Sequence, residues 1–445
     1  MSGTAGSGAA RSGAAGSEDA GSGAAGWEHD RGATRRVLAV RLDSDGDVLL
    51  TGPAVLALGT GADGAPREVD LLVSPQGRAA AHLLPGVAEV RVEQVPWSGY
   101  APAAADPAAL QALVAWMAGR AHEEVVVFTS FHQSPLPMAL LARLAGAPRV
   151  VGTSEDYPGS LLDVRHRRPG GADGSGGGHE VLAALDLVAA TGRAVPSRPR
   201  LAVRTDLVDA AERALPAPPS GARGLVVLHP GASVPARAPS PAVAADAAAA
   251  LVDDGWAVAL TGSPAEAPLV EDVRERASRA ADPGAGGRAE GTGAGGRAGG
   301  TGAGGRAEGT EAGGRLVDLA GATDLAGLAA LLRRADAVVV GNTGPAHLAA
   351  AVGTPVVSLF SPVVPAERWA PWGVPTVLLG DQGAPCALSR ARECPVPGHP
   401  CLQLDGRSVV EAVRSVVGVQ PGGAAGSVER VAGSSAAGTR GGARP

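Results

Sequence analysis

The chain of 445 residues reads as an α/β protein built from two doubly wound parallel sheets that face a cleft. Three observations predict this. Apolar strand-length runs alternate with helix-length segments in both halves, which calls for parallel sheets with helices on both faces. Several strands are followed directly by a glycine-bearing turn and a helix. The length also suits two domains better than one.

In the first half, strands are predicted near 37–42, 69–73, 89–92, 124–128 and 149–152. Helices are predicted near 48–58, 76–84, 107–119, 135–145 and 179–192. The opening unit shows the pattern. Val37–Leu42 is an apolar strand, Asp43-Ser-Asp-Gly-Asp47 is a turn, and Val48–Leu58 is an apolar helix. A passage rich in Pro and Arg, Pro196–Arg223, reads as the connection between the halves. In the second half, strands are predicted near 225–228, 256–261, 316–319, 336–341 and 355–360. Helices are predicted near 241–253, 266–280, 324–334 and 345–352. The domain boundaries follow: a tail over 1–35, a first domain over 36–200, a linker over 201–223, a second domain over 224–418 and a second tail over 419–445. The two tails are rich in Gly, Ala and Ser and are predicted to be disordered.

One low-complexity segment lies inside the second domain. Gly284–Thr292, Gly293–Thr301 and Gly302–Thr310 repeat GAGGRAxGT with a period of nine, and Glu311–Arg315 begins a fourth copy. The copies lack the aspartates of a calcium-binding β-roll. Residues 284–315 therefore read as a flexible expansion between a helix and a strand.

Composition excludes several function classes. A formal charge of −6, with no basic stripe carrying aromatics, argues against a nucleic-acid binder. No apolar run approaches the ~20 residues of a membrane span. The N-terminal segment lacks the apolar core of a signal peptide, so a cytoplasmic protein is expected, either free or resting on the inner membrane face. Arg165–Arg168 is the one local basic cluster and reads as a solvated loop. Cys386, Cys394 and Cys401, with His399 nearby, do not form a disulfide scaffold. Their spacings are unlike the paired spacings of zinc sites, so they read as loop cysteines.

The segment VVVGNTGPAH, Val338–His347, carries the most chemistry. A β-branched strand runs into a turn and a helix with Pro345 in its first turn. Free N–H groups and the positive end of the helix dipole make such a terminus an anion site, and His347 lies within reach. Asn342 is the sole Asn of a chain that has no Lys and no Ile. A left-handed turn residue is the plain account of it. Three further segments complete a set: Arg41–Ala54 (RLDSDGDVLLTGPA), His229–Ser233 (HPGAS) and Arg368–Pro371 (RWAP).

In this order and spacing, over residues 36–418, the four segments resemble glycosyltransferase family 9, the heptosyltransferase-type enzymes. The resemblance implies two Rossmann-like domains in the glycosyltransferase B-type arrangement. It implies an inverting glycosyltransferase that moves heptose or a related sugar from a nucleoside-diphosphate donor, ADP-heptose or another. The acceptor would be a hydroxyl of a cell-envelope glycan, lipid or metabolite. It calls for no cofactor, and no DxD-like pair ends a strand of the second half, which fits a metal-independent reaction.

Asp47 matches the general base of the family's Gly-Asp motif. Capping of helix 48–58 is the other role open to it. Asp43 and Asp45 share its loop, with Asp45 a second candidate base. Ser233, Arg237, Asn342, Thr343, Gly344 and His347 are the candidates for the donor diphosphate. Related enzymes carry Lys near position 237 and Asp at position 342. Arg237 keeps the charge with a different geometry. Asn342 removes a negative charge beside the phosphates. Glu266 is a candidate for the donor ribose, with a first-turn helix glutamate as the plain alternative. Two other functions stay open: a degenerate nucleotide-sugar-binding protein, and a nucleotide-sugar epimerase. A dehydrogenase is disfavoured, since no strand is followed by GxGxxG.

Overall fold

A computed structural model describes residues 35–99, 102–130, 133–168, 178–217, 219–281, 314–418 and 428–431. The expected N-terminal tail and nearly all of the nine-residue repeat lie outside these residues.

The first half runs β1 (Arg36–Arg41), α1 (Asp45–Leu58), β2 (Glu68–Val73), α2 (Arg78–Leu83), β3 (Val87–Val92), α3 (Pro107–Arg120), β4 (Glu124–Phe128), α4 (Leu136–Leu144), β5 (Val150–Thr153), β6 (Val164–His166) and α5 (Glu180–Ala189). The sheet order is β3-β2-β1-β4-β5-β6, and every pairing is parallel. Helix α6 (Thr205–Glu212) leads into the second half. That half runs β7 (Leu225–His229), α7 (Pro241–Asp253), β8 (Ala257–Leu260), α8 (Ala267–Ala281), β9 (Leu316–Asp318), α9 (Leu325–Arg334), β10 (Ala337–Gly341), α10 (Gly344–Val352), β11 (Val356–Leu359), α11 (Ala366–Trp369), β12 (Thr376–Leu379), α12 (Gly406–Val417) and β13 (Val428–Val431). Its sheet order is β13-β12-β11-β10-β7-β8-β9, again parallel throughout.

The two orders place the functional loops. In the first sheet the chain moves outward from β1 to β3 and then returns to lay β4 on the other side of β1. In the second, β7 to β9 move outward and β10 returns beside β7. The direction of winding reverses between β1 and β4 and between β7 and β10. Loops at the carboxyl ends of those strands part there and leave a crevice, which is where ligands of open α/β sheets bind. All four central strands are buried along nearly their whole length, as strands covered on both faces must be.

Helix α1 is buried almost all round, because it packs on its own sheet, on α5 and on α10 of the other half. One apolar cluster accordingly runs from Val48 and Leu49 of α1 to Ala346 and Leu348 of α10. The halves thus share core at the crevice.

The structure adds elements to the sequence reading. The Pro- and Arg-rich connection contains α6, which Arg333 and Arg334 of α9 hold through Asp209 and Glu212. β6, β12, α12 and β13 were not predicted. The last lies within the stretch that composition marked as a tail and pairs with β12. Arg168 is not part of a solvated loop, since its side chain is 9% exposed and bonded to Glu180. Among the described residues, no helix is long and apolar enough to cross a membrane.

Candidate active site

Asp47 sits in the first turn of α1, which starts at Asp45 after Ser44 in extended conformation. It therefore does not cap a helix beginning at 48. Its carboxylate is half-buried and receives two bonds. Arg41 Nη2 donates to Oδ1 at 3.2 Å, and Ser44 Oγ donates to Oδ2 at 2.9 Å. Burial alone would raise its pKa, but the Arg41 guanidinium and the Ser44 hydrogen bond, with Arg237 behind them, hold it below the ordinary aspartate value. Asp47 is thus ionised at neutral pH.

The neighbouring acids are committed elsewhere. Asp45 Oδ1 accepts from the Ala80 N–H at 2.8 Å and so anchors the first turn of α2. Asp43 pairs with Arg41 Nε at 2.9 Å and accepts from Gln133 Nε2 at 2.6 Å.

Arg41 is the residue whose weight the sequence did not reveal. Its side chain is 3% exposed and sits between Asp43, Asp47 and Glu180, with Ser130 Oγ accepting from Nη2 at 3.1 Å. Glu180, the first residue of α5, is itself buried. Arg168 Nη1 meets it at 2.7 Å and Arg368 Nη1, from the second half, at 3.3 Å. His179 precedes it as the N-cap. The His179 Nδ1 accepts from Val181 N, so Nε2 carries the proton and donates to the Ala370 carbonyl at 2.8 Å. Trp372 packs on the His179 ring at 4.5 Å and donates to the Pro199 carbonyl. The RWAP segment thus joins the halves. No periodicity signals Glu180 or His179, since their partners lie almost two hundred residues away.

The donor candidates gather on the opposing loops. β7 and β10 are adjacent, with His229 opposite Val340, so the loops that follow them run side by side. A Cβ on Gly341 would lie 2.5 Å from the Arg237 carbonyl oxygen, which explains glycine at that strand end. Thr343 is the extended N-cap of α10 but makes no side-chain cap bond. Thr343 Oγ1, His347 Nδ1 and Arg237 Nε are buried without a hydrogen-bond partner. Buried polar atoms without a partner cost a folded chain stability, and a ligand that bonded them here would recover that cost. Burial, then the proximity of His179 and Arg237, pulls His347 down to about 4, against Asp47. His347 is therefore neutral at pH 7.

The other candidates stand as follows. Gly344 opens α10 and touches Gly46 of α1. Asn342 is not left-handed; it is buried, and its amide faces the Ser361 backbone, with Oδ1 accepting from Ser361 N at 3.3 Å. It fastens the loop between β10 and α10 to the end of β11. Ser233 is exposed on the loop after β7. Glu266 completes a capping box with Ser263 at the head of the helical turn preceding α8, and its Oε2 lies 4.0 Å from His229 Nε2. Cys386 and Cys401 are buried free thiols, and burial pushes Cys401 up to about 12. Among the described residues, no group of three or more ligating side chains is arranged to hold a metal ion.

Comparison with known proteins follows this geometry. Residues 303–399 match the model of glycosyltransferase family 9 (heptosyltransferase). No curated protein matches the sequence. Among solved structures, ADP-heptose LPS heptosyltransferase II of E. coli is 17% identical, covers 86% of this chain and 98% of its own, and superposes with a TM-score of 0.56. A glycosyl transferase family 9 protein of Veillonella parvula is 16% identical over 86% and 97%, with a TM-score of 0.61. E. coli heptosyltransferase WaaC with ADP-2-deoxy-2-fluoro heptose is 19% identical over 85% and 99%, with a TM-score of 0.53. The chain therefore resembles glycosyltransferase family 9 in sequence over residues 303–399 and shares the glycosyltransferase B-type fold over most of its length.

Proposed function

We propose that the chain is an inverting glycosyltransferase that moves a sugar, heptose or a relative, from a nucleoside-diphosphate donor to an acceptor hydroxyl. One observation carries the reading. The Asp47 turn of the first half packs directly on the head of α10 in the second, where a Cβ on Gly46 would lie 3.2 Å from Gly344 Cα and 3.1 Å from His347 Cδ2.

The donor diphosphate lies at the head of α10. The Gly344 backbone N–H, Thr343 Oγ1 and the Arg237 guanidinium donate to its oxygens and stabilise the charge that builds on the leaving group. No metal is needed in this scheme. Asp47 takes the acceptor proton from the opposite side. A depressed pKa makes it a weak base, but the transition state relieves the demand. As the acceptor oxygen bonds to the oxocarbenium-like anomeric carbon it becomes strongly acidic, and a carboxylate suffices. A single displacement inverts the anomeric centre. The acceptor is a glycan or lipid-linked hydroxyl of the cell envelope, by analogy with the LPS heptosyltransferase II named above. Contact with the inner membrane face belongs to this reading as well.

The direct test is a thermal-shift screen against ADP-, UDP-, GDP- and dTDP-sugars. A bound donor stabilises the fold by about 2.7 kcal/mol at one hundred times Kd. Stabilisation by one nucleotide class identifies the donor. No shift from any of them would remove the donor site.

A further inference from the structure

We propose that Glu180 is a positioning residue for this transfer: it shares the Arg41 Nη2 with Asp47, so that Arg41 gives Asp47 one contact and leaves the rest of the carboxylate to the substrate. The inference rests on the glycosyl-transfer reading above.

The geometry is asymmetric. Arg41 Nη2 is 3.2 Å from Asp47 Oδ1 and 4.0 Å from Glu180 Oε2, while Nε is 2.9 Å from Asp43. Arg41 is thus shared among three carboxylates and closes a two-pronged pair with none of them. Glu180 does not drift toward Arg41, because Arg168 holds it at 2.7 Å and Arg368 at 3.3 Å. These contacts fix its place in the first turn of α5. Asp47 in turn faces Arg41 from β1, Ser44 from its own loop, Asp43 across Arg41, His347 from α10 and Arg237 from the turn after β7. Removing the Glu180 charge leaves Arg41 free to swing onto Asp47. A two-pronged arginine–carboxylate pair is the stronger geometry, and it would occupy the base. Arg368 belongs to the second half, so the base is positioned by a contact that exists only when the halves are packed together.

The test uses the full chain. Glu180→Gln and Asp47→Asn are combined in a double-mutant cycle, read by urea unfolding at neutral pH. A parallel cycle of Glu180→Gln with Asp45→Asn is the control, since Asp45 bonds the Ala80 N–H and not Arg41. The Asp47 cycle should be non-additive by about tenfold in the folding equilibrium, with the double variant worse than the sum, and the Asp45 cycle additive. ADP release from ADP-heptose should fall about tenfold in kcat with KM within about twofold, and Glu180→Asp should recover part of it. Should Glu180→Gln fail to fold, Glu180→Asp enters the same cycles. Equal coupling in the two cycles overturns the proposal, as does unchanged ADP release in Glu180→Gln. If the native chain releases no nucleoside diphosphate from ADP-, UDP-, GDP- or dTDP-sugars, the glycosyl-transfer reading falls, and the cycles still decide the role of Glu180.

Discussion

Gly46 and Gly344, 298 positions apart, meet where the first turns of α1 and α10 touch. A Cβ on Gly46 would lie 3.2 Å from Gly344 Cα and 3.1 Å from His347 Cδ2. Any side chain there pushes the loop after β1 off the loop after β10. Gly46→Ala asks the neighbours to yield by a few tenths of an ångström, so it should cost about 1 kcal/mol or less in urea unfolding. Gly46→Val should separate the loops by more and lower transfer on the order of 100-fold, the effect of a misplacement of about 1 Å. An unchanged rate in Gly46→Val, with normal folding, would show that the contact is not part of the reacting geometry. Gly344→Val acts through the same contact, since Gly344 does not have positive φ.

Asp47→Asn separates proton transfer from structure. The variant keeps the shape and can still accept from Ser44, but it has no charge for Arg41 and cannot take the acceptor proton. Turnover should fall about 10²–10⁴-fold. ADP affinity, measured by calorimetry, should stay within about twofold if the proposed donor groups, which lie on the other half, hold the diphosphate. Stability should drop by about 1–3 kcal/mol, because a buried arginine loses one charged partner. Full turnover by Asp47→Asn would sink the mechanism.

Two buried histidines make acid a specific stress. His179 and His347 are both held down to about 4, chiefly by burial. Between that value and the ordinary 6.5 the unfolded chain binds protons that the folded chain refuses. Stability is therefore fully present above about pH 6.5 and is lost as pH falls toward 4. At pH 5 each histidine should have cost about 2 kcal/mol relative to pH 7. Urea midpoints at the two pH values measure this, and His347→Gln should flatten the dependence by one histidine's share. An identical dependence in the variant would mean that His347 is not buried as described.

The sequence made the parallel architecture and the four loops legible because those depend on local pattern. Runs such as Val37–Leu42 and Val338–Gly341 are buried on both faces, so they are apolar throughout and easy to read. The first-turn place of His347 and the start of α10 were equally local. Partnership was not. Arg41 looked like one more residue of a motif, and Glu180 like an ordinary helix start, because their bonds cross 139 residues to each other and 188 to Arg368. Asn342 misled for the same reason. A left-handed turn is a local explanation, whereas its amide is fixed by Ser361 on the next strand loop.

Arg237 tests the donor site without requiring an acceptor. Its Nε is buried and unsatisfied, and its backbone carbonyl lies against Gly341 at the end of β10. If the guanidinium receives a diphosphate oxygen, Arg237→Ala removes one charge-assisted contact of about 1.5–3 kcal/mol. That weakens nucleoside-diphosphate binding by about 10–100-fold. Arg237→Lys keeps the charge but not the planar fork, so it should recover only part of the affinity. Melting temperature should hardly change in the apo protein, since the substitution removes an unsatisfied buried polar atom, and the two chains should diverge only when ADP is added. A variant that binds ADP as the native chain does would move the phosphates away from the β7 loop and leave α10 alone to hold them.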